Sequence, residues 1–316
     1  MVTMDEDRFR IPGDWLPDYS VIYPMAEELP SSAWHVTAKM KELHARGIDG
    51  RNVIVAVNDT AGQADHPFLP KQLAGRDFTG SRYGLKDTHG HASHCMGIVI
   101  SVAPKASLVC AKVLGDSGSG STTGINAGRV WAAQQGADVI SESLGDGGGP
   151  PIAADLKAYD QAYEAGVSIC CAALGNAGYN GRSTIGRPGS YSDHNHGIAA
   201  IQKDWKTIAG FSSGGPQARF AAPGQNIISC RPGSGWVDMS GTSMATPWQA
   251  GLYALIVGWR RGLGLPDIRG PKQWAEFFDL NKLTIDLGTP GWDARYGNGL
   301  VDVEKVFDFL LDKTSI

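Results

Sequence analysis

Gly241-Thr242-Ser243-Met244-Ala245-Thr246-Pro247 places a lone serine where a glycine-rich loop runs into an apolar helix. A serine hydroxyl attacks a carbonyl only when a base takes its proton and nearby donors meet the negative charge that forms on the oxygen. A helix start supplies some of this, because its first backbone N–H groups lack helical partners and its dipole end is positive. Taken alone, Ser243 reads equally well as a helix N-cap. Three further residues bear on the choice: Asp59 closing an apolar run, His91 behind the glycine turn of 87–90, and Asn176 between Gly175 and Ala177-Gly178. Each has a plainer role as well. Asp59 would cap a turn, His91 would start a helix without a partner, and Asn176 would occupy a left-handed backbone position. Brought to one edge of one sheet, the four make a nucleophile, a base, its orienting carboxylate and an oxyanion donor, which is the equipment of acyl transfer.

The flanking patterns supply such an edge. Residues 52–60 form a continuous β-branched run of the kind found in strands buried on both faces, and 107–113, 138–141 and 167–174 repeat the pattern. Helical stretches are expected over 36–45, 122–135, 152–165 and 246–260, with C-terminal helices over 271–279 and 303–311. Strands alternating with helices predict an α/β fold with a parallel, helix-covered sheet, and such sheets carry their ligands at the carboxyl ends of the strands. Asp59 and Asn176 both fall at strand ends of this kind.

The order Asp, His, Ser, with an asparagine between the last two, resembles the subtilisin family of serine endopeptidases, and so do Val102-Ala103-Pro104, Ser143-Leu144-Gly145 and Ala221-Ala222-Pro223-Gly224. The resemblance covers about 31–303 and implies a three-layer α/β/α fold around a mostly parallel central sheet. It implies Ser243 as nucleophile, His91 as general base and acid, Asp59 as the residue orienting it, and Asn176 with the Ser243 backbone N–H as oxyanion donors. Gly118, Ser119 and Gly120 match the edge that takes substrate as an added strand. Ser143, Leu144 and Gly145 match the opposite wall, and Gly186 the floor of a pocket for a large apolar side chain. His94, one turn after His91, reads as packed and hydrogen-bonded, and His89 as a loop residue.

Departures from the family pattern are Ala92-Ser93 after the histidine and Trp248-Gln249 after the serine motif. They leave open a weak or inactive binding protein on the same fold beside the endopeptidase; an acyl transferase or macrocyclase, as among macrocyclising relatives, is a third reading. Only Ile98 to Ser101 separate Gly97 from Val102, where many relatives insert a calcium loop; calcium needs six to eight oxygen ligands, so no cofactor and no metal are expected there, with weaker calcium sites elsewhere left open. Cys95 matches a free cysteine of proteinase K-like members and is expected beneath His91 as a small apolar group. Residues 1–30, rich in proline and acid, are expected to form an N-terminal extension that blocks the active site as in intracellular subtilisins, and 31–316 the catalytic domain.

Length and composition agree with one large catalytic domain: 316 residues, 42% hydrophobic, suffice for a substantial core. A net charge of −4 gives no reason to expect nucleic acid, and no apolar run has the length of a membrane span. The partner expected is therefore a protein or peptide substrate. Oligomeric state is not legible. Five cysteines without paired or metal-ligand spacing, and no secretory apolar segment near the N-terminus, predict a cytoplasmic protein.

Overall fold

A computed structural model describes residues 8–10, 18–23 and 28–314. In chain order the elements are β1 (Arg8–Arg10), β2 (Asp18–Tyr23), α1 (Ala38–Ala45), β3 (Ile54–Asp59), β4 (Ala74–Asp77), α2 (His91–Val102), β5 (Ser107–Lys112) and β6 (Ser119–Ser121). Then follow α3 (Thr122–Gln134), β7 (Val139–Glu142), α4 (Ala153–Glu164), β8 (Ile169–Ala173), β9 (His196–Ile201), β10 (Ala218–Pro223), β11 (Ile227–Cys230) and β12 (Trp236–Met239). The chain ends with α5 (Thr242–Gly262), α6 (Gly270–Leu280), β13 (Thr284–Ile285), β14 (Leu300–Val301) and α7 (Val303–Thr314).

The central sheet has the order β13-β14-β10-β9-β8-β7-β3-β5-β4, and every neighbouring pair is parallel except β13 with β14. Strand side chains alternate between two buried layers. Val55, Val57, Leu108, Cys110, Val139, Ile169 and Cys171 join the core of α2 and α5, whereas Ala56, Val109, Ala111, Ile140 and Cys170 join that of α3 and α4. This is why the runs read as continuously apolar rather than alternating. Each fully buried valine or isoleucine contributes roughly 1.5–3 kcal/mol of transfer free energy. The result is the three-layer α/β/α arrangement.

β3 lies between β5 and β7, so the chain leaves it toward one side and returns to continue on the other. The carboxyl end of such a strand opens into a crevice. Asp59 stands there, and its carbonyl accepts from Val113 N and Leu114 N, which follow β5.

Helix boundaries differ from expectation most at α5, which begins at Thr242 rather than 246 and contains Pro247. Proline lacks an N–H and therefore leaves the carbonyl four residues earlier, that of Ser243, without its helical donor. Other side chains fill that role, as described below. β4 and β9 to β14 had no strand reading in the sequence; β4 (Ala-Gly-Arg-Asp) is an edge strand of low apolar content. Separate from the main sheet, β1 pairs antiparallel with β6, and β2 joins the β11–β12 hairpin through β12.

Candidate active site

His91 is the first residue of α2, and its N-cap, Gly90, has φ 94°, a left-handed conformation that glycine adopts without penalty. With no capping side chain at Gly90, Asp87 does the capping from upstream. One oxygen of its carboxylate accepts from Gly90 N (2.8 Å), His89 N (3.2 Å) and Thr60 Oγ1 (3.0 Å), and the other from Ser93 N (2.8 Å) and Ser93 Oγ (2.7 Å). Thr60 Oγ1 accepts from Ala92 N at 3.1 Å. Ala92 and Ser93, the departures after the histidine, are thus built into the turn that holds it.

The ring of His91 meets both oxygens of Asp59, with Nδ1 at 2.8 and 2.9 Å, and both side chains are fully buried. Asp59 also accepts from Thr60 N at 2.7 Å. Burial works against an imidazolium, yet the adjoining Asp59 carboxylate outweighs it and raises His91 well above the ordinary 6.5. Cys95 Sγ lies 3.9 Å from His91 Nδ1. Burial pushes the Cys95 thiol up, against the pull of His91, so it stays protonated. Asp59, His91 and Cys95 are also the one group of acid, imidazole and thiol among the described residues close enough to share an ion. Their atoms are engaged with one another.

Ser243 is the second residue of α5, after the N-cap Gly241. Its carbonyl, deprived of a helical donor by Pro247, accepts from the Ser143 hydroxyl at 2.8 Å and from the Cys95 thiol at 3.5 Å. The Ser243 hydroxyl donates to Ser143 O at 3.3 Å. Cys95, on the helix that begins with His91, therefore touches both the histidine and the serine segment.

Asn176 follows β8, and its Oδ1 accepts from Thr242 N (2.9 Å) and Thr242 Oγ1 (3.0 Å), while Thr242 Oγ1 accepts from Gly175 N (3.1 Å). These bonds settle which end of the carboxamide is oxygen, and they turn the NH2 end away from Thr242. The residue before the serine thus orients the amide.

Gly145, Asn176 and Gly186 line one cleft of about 670 Å³. A Cβ on Gly186 would sit 2.1 Å from Asp146 O, so only glycine fits that wall. Ser143 and Leu144 are buried instead, the first against Ser243 and the second in the core beside α3. Ser119 and Gly120 belong to β6 and Gly118 to the turn before it; this edge is paired with β1 in the register Arg8 with Ser121, Phe9 with Gly120 and Arg10 with Ser119. His94, by contrast, places Nε2 3.0 Å from Ile227 O and 3.1 Å from Val237 O, and burial holds it neutral, down to about 3.

Asp87, Thr242 and the grip of Ser143 on Ser243 were not legible as parts of this site. The available signals were a carboxylate three residues before Gly90 and a proline four residues after Ser243.

Residues 50–299 match the subtilase family. Subtilisin DY of Bacillus licheniformis is 36% identical over 277 residues, covering 84% of this chain and 94% of its own. The intracellular serine protease of Paenibacillus polymyxa is 36% identical over 282 residues, covering 82% and 83%. The major intracellular serine protease of Bacillus subtilis is 35% identical over 237 residues, covering 69% and 72%. A buried Asp–His pair, a serine in the first turn of a helix and an oriented asparagine, meeting at the carboxyl edge of a parallel sheet, accord with these likenesses: the chain belongs to the subtilase family and is a serine endopeptidase acting on protein or peptide substrates.

Proposed function

We propose that Ser243 is the nucleophile, that His91 takes its proton and returns it to the leaving amine, and that Asp59 holds the imidazole tautomer and stabilises the imidazolium. The observation that carries this reading is the contact of His91 Nδ1 with both Asp59 oxygens, which aims Nε2 away from the carboxylate. The Ser243 hydroxyl, which here donates to Ser143 O, is proposed to turn to that nitrogen once substrate binds; catalytic hydrogen bonds are often loose before then. The Asn176 NH2 and the Ser243 backbone N–H would receive the oxyanion, the first oriented by Thr242. A fluorophosphonate probe should label the wild type and not Ser243→Ala. Equal labelling of the two would overturn the assignment.

Gly118, Ser119 and Gly120 are proposed to bind substrate as an added antiparallel strand, and β1 already occupies this edge in that manner. The 1–30 segment is accordingly read as an inhibitory arm, anchored by β1 on one side and by β2 on β12, which leads into Ser243, on the other. Residues 11–17, between the two strands in sequence, lie outside the described residues. A chain starting near Ser31 should label faster than the full-length protein, and equal rates would remove the inhibitory role. A cytoplasmic location is supported by the relatives named as intracellular proteases and by five free cysteines among the described residues. Catalysis is proposed to need no metal or cofactor, since every role above is filled by a side chain or backbone N–H.

A further inference from the structure

The cleft beside Asn176 contains a carboxylate that the mechanism does not use. Among the described residues lining it, Asp146 alone has an ionisable acid or base side chain. Its Oδ1 accepts from Gly148 N at 2.8 Å and Arg187 N at 2.9 Å, and its Oδ2 from Arg187 Nε at 2.7 Å, with Arg187 Nη2 also in contact. The two side chains are 5% and 9% exposed. Arg187 follows Gly186 of the cleft wall, and its Nη1 donates to Pro150 O at 3.3 Å, so the guanidinium is tucked beneath the glycine loop of 147–149. Burial disfavours the Arg187 charge, but bonding and attraction to Asp146 more than compensate and hold it above the usual guanidinium range. The guanidinium therefore keeps its charge, and it lies against the Asp146 carboxylate within the wall.

We propose that the Asp146–Arg187 ion pair determines specificity by keeping this cleft electrically neutral, so that it accepts an uncharged apolar side chain from the residue before the scissile bond. The inference rests on the reading of the cleft as the pocket for that residue. A charge in a confined, poorly solvated wall acts strongly on a charged ligand, and discrimination follows from the unpaired group left behind as much as from the contact made. Without its cation, Asp146 would present a buried anion and draw lysine or arginine into the cleft. Without its anion, Arg187 would favour glutamate.

The test uses the full chain and peptide amides that differ only in the residue before the cleaved bond: Phe, Lys, Glu or Ala. Each variant is first shown to melt cooperatively. Arg187→Met should raise the Lys-to-Phe ratio of kcat/KM by about tenfold or more, and Asp146→Asn should raise the Glu-to-Phe ratio, each relative to wild type. The double variant, neutral again, should return both ratios toward wild type, which a merely structural role in holding the loop would not produce. Should Arg187→Met fail to fold, Asp146→Asn and the double variant decide the matter. Unchanged ratios in the folded variants would overturn the inference. Gly147→Leu, at a lining glycine where an added Cβ meets nothing within 4 Å, tests the cleft itself: it should depress Phe relative to Ala, and no change would show that the cleft does not hold this residue, so that both readings fall.

Discussion

Ser143 holds Ser243 at two points: its hydroxyl donates to the Ser243 carbonyl at 2.8 Å, and its own carbonyl accepts from the Ser243 hydroxyl at 3.3 Å. The first bond exists because Pro247 cannot donate to the carbonyl four residues before it. The Ser243 carbonyl, in the first turn of α5, is thereby tied to the residue after β7 rather than to its own helix. Ser143→Ala should cost about 1 kcal/mol of stability, the net value of one hydrogen bond, and slow fluorophosphonate labelling severalfold. Thermal melts and labelling rates check this; a variant equal to wild type in both would show that the Cys95 thiol suffices.

Asn176→Ala should lower kcat by about 10²–10³ with little change in melting temperature. Thr242→Val removes one of the two bonds that orient the amide and keeps the backbone N–H. Its loss should be smaller, about fivefold, corresponding to one hydrogen bond of about 1 kcal/mol. If Thr242→Val proved as damaging as Asn176→Ala, the backbone bond alone would not orient the carboxamide.

With the neutral form of His91 as the proposed base, the acid limb of kcat/KM should have its midpoint above 6.5, because Asp59 raises its pKa. Activity therefore grows as pH rises through that raised value. Stability linked to the pair runs the other way: it is fully present below the unfolded value near 6.5 and is lost as pH climbs through the folded one. Asp59→Asn should move the activity midpoint down and reduce kcat by about 10⁴. A wild-type midpoint at or below 6.5 would contradict the raised base.

Six other histidines shift in the opposite sense, three of them strongly. Burial pushes His35, His94 and His196 down to about 3, so they stay neutral when folded but take up protons near 6.5 when unfolded. Their contribution is complete above 6.5 and is lost as pH falls from there toward 3. Urea midpoints should decline steadily from pH 7 to pH 4.5. A flat response would mean that the three imidazoles are solvated.

Kcat/KM measured after exhaustive chelation should equal that of untreated enzyme, as expected if the oxyanion donors and His91 supply the chemistry. A loss restored by calcium would reveal a bound ion on which the fold depends.

The sheet was legible because strands covered on both faces must be apolar at every position, so 52–60 and 167–174 declare themselves without context. Asp59, His91, Asn176 and Ser243 were legible because each interrupts such a pattern at a strand end or helix start. β4, with two charged residues among four, has no such signature, since an edge strand needs only one neighbour. The stretch expected over 246–260 begins four residues earlier, because the carbonyl that Pro247 leaves without a helical donor is met by Ser143 and the helix continues through the proline.

The linear chain determined the layers, the order of the chemical groups and the edge at which they gather, since periodicity and loop chemistry are local properties. Only the tertiary structure decided that Ser143 replaces a hydrogen bond that Pro247 cannot make, that Thr242 aims Asn176, and that Arg187 cancels Asp146 in the cleft. Those pairs lie 100, 66 and 41 positions apart, and a hydrogen bond of fixed length and angle between such distant residues depends on the register of the packed elements, which no local pattern encodes.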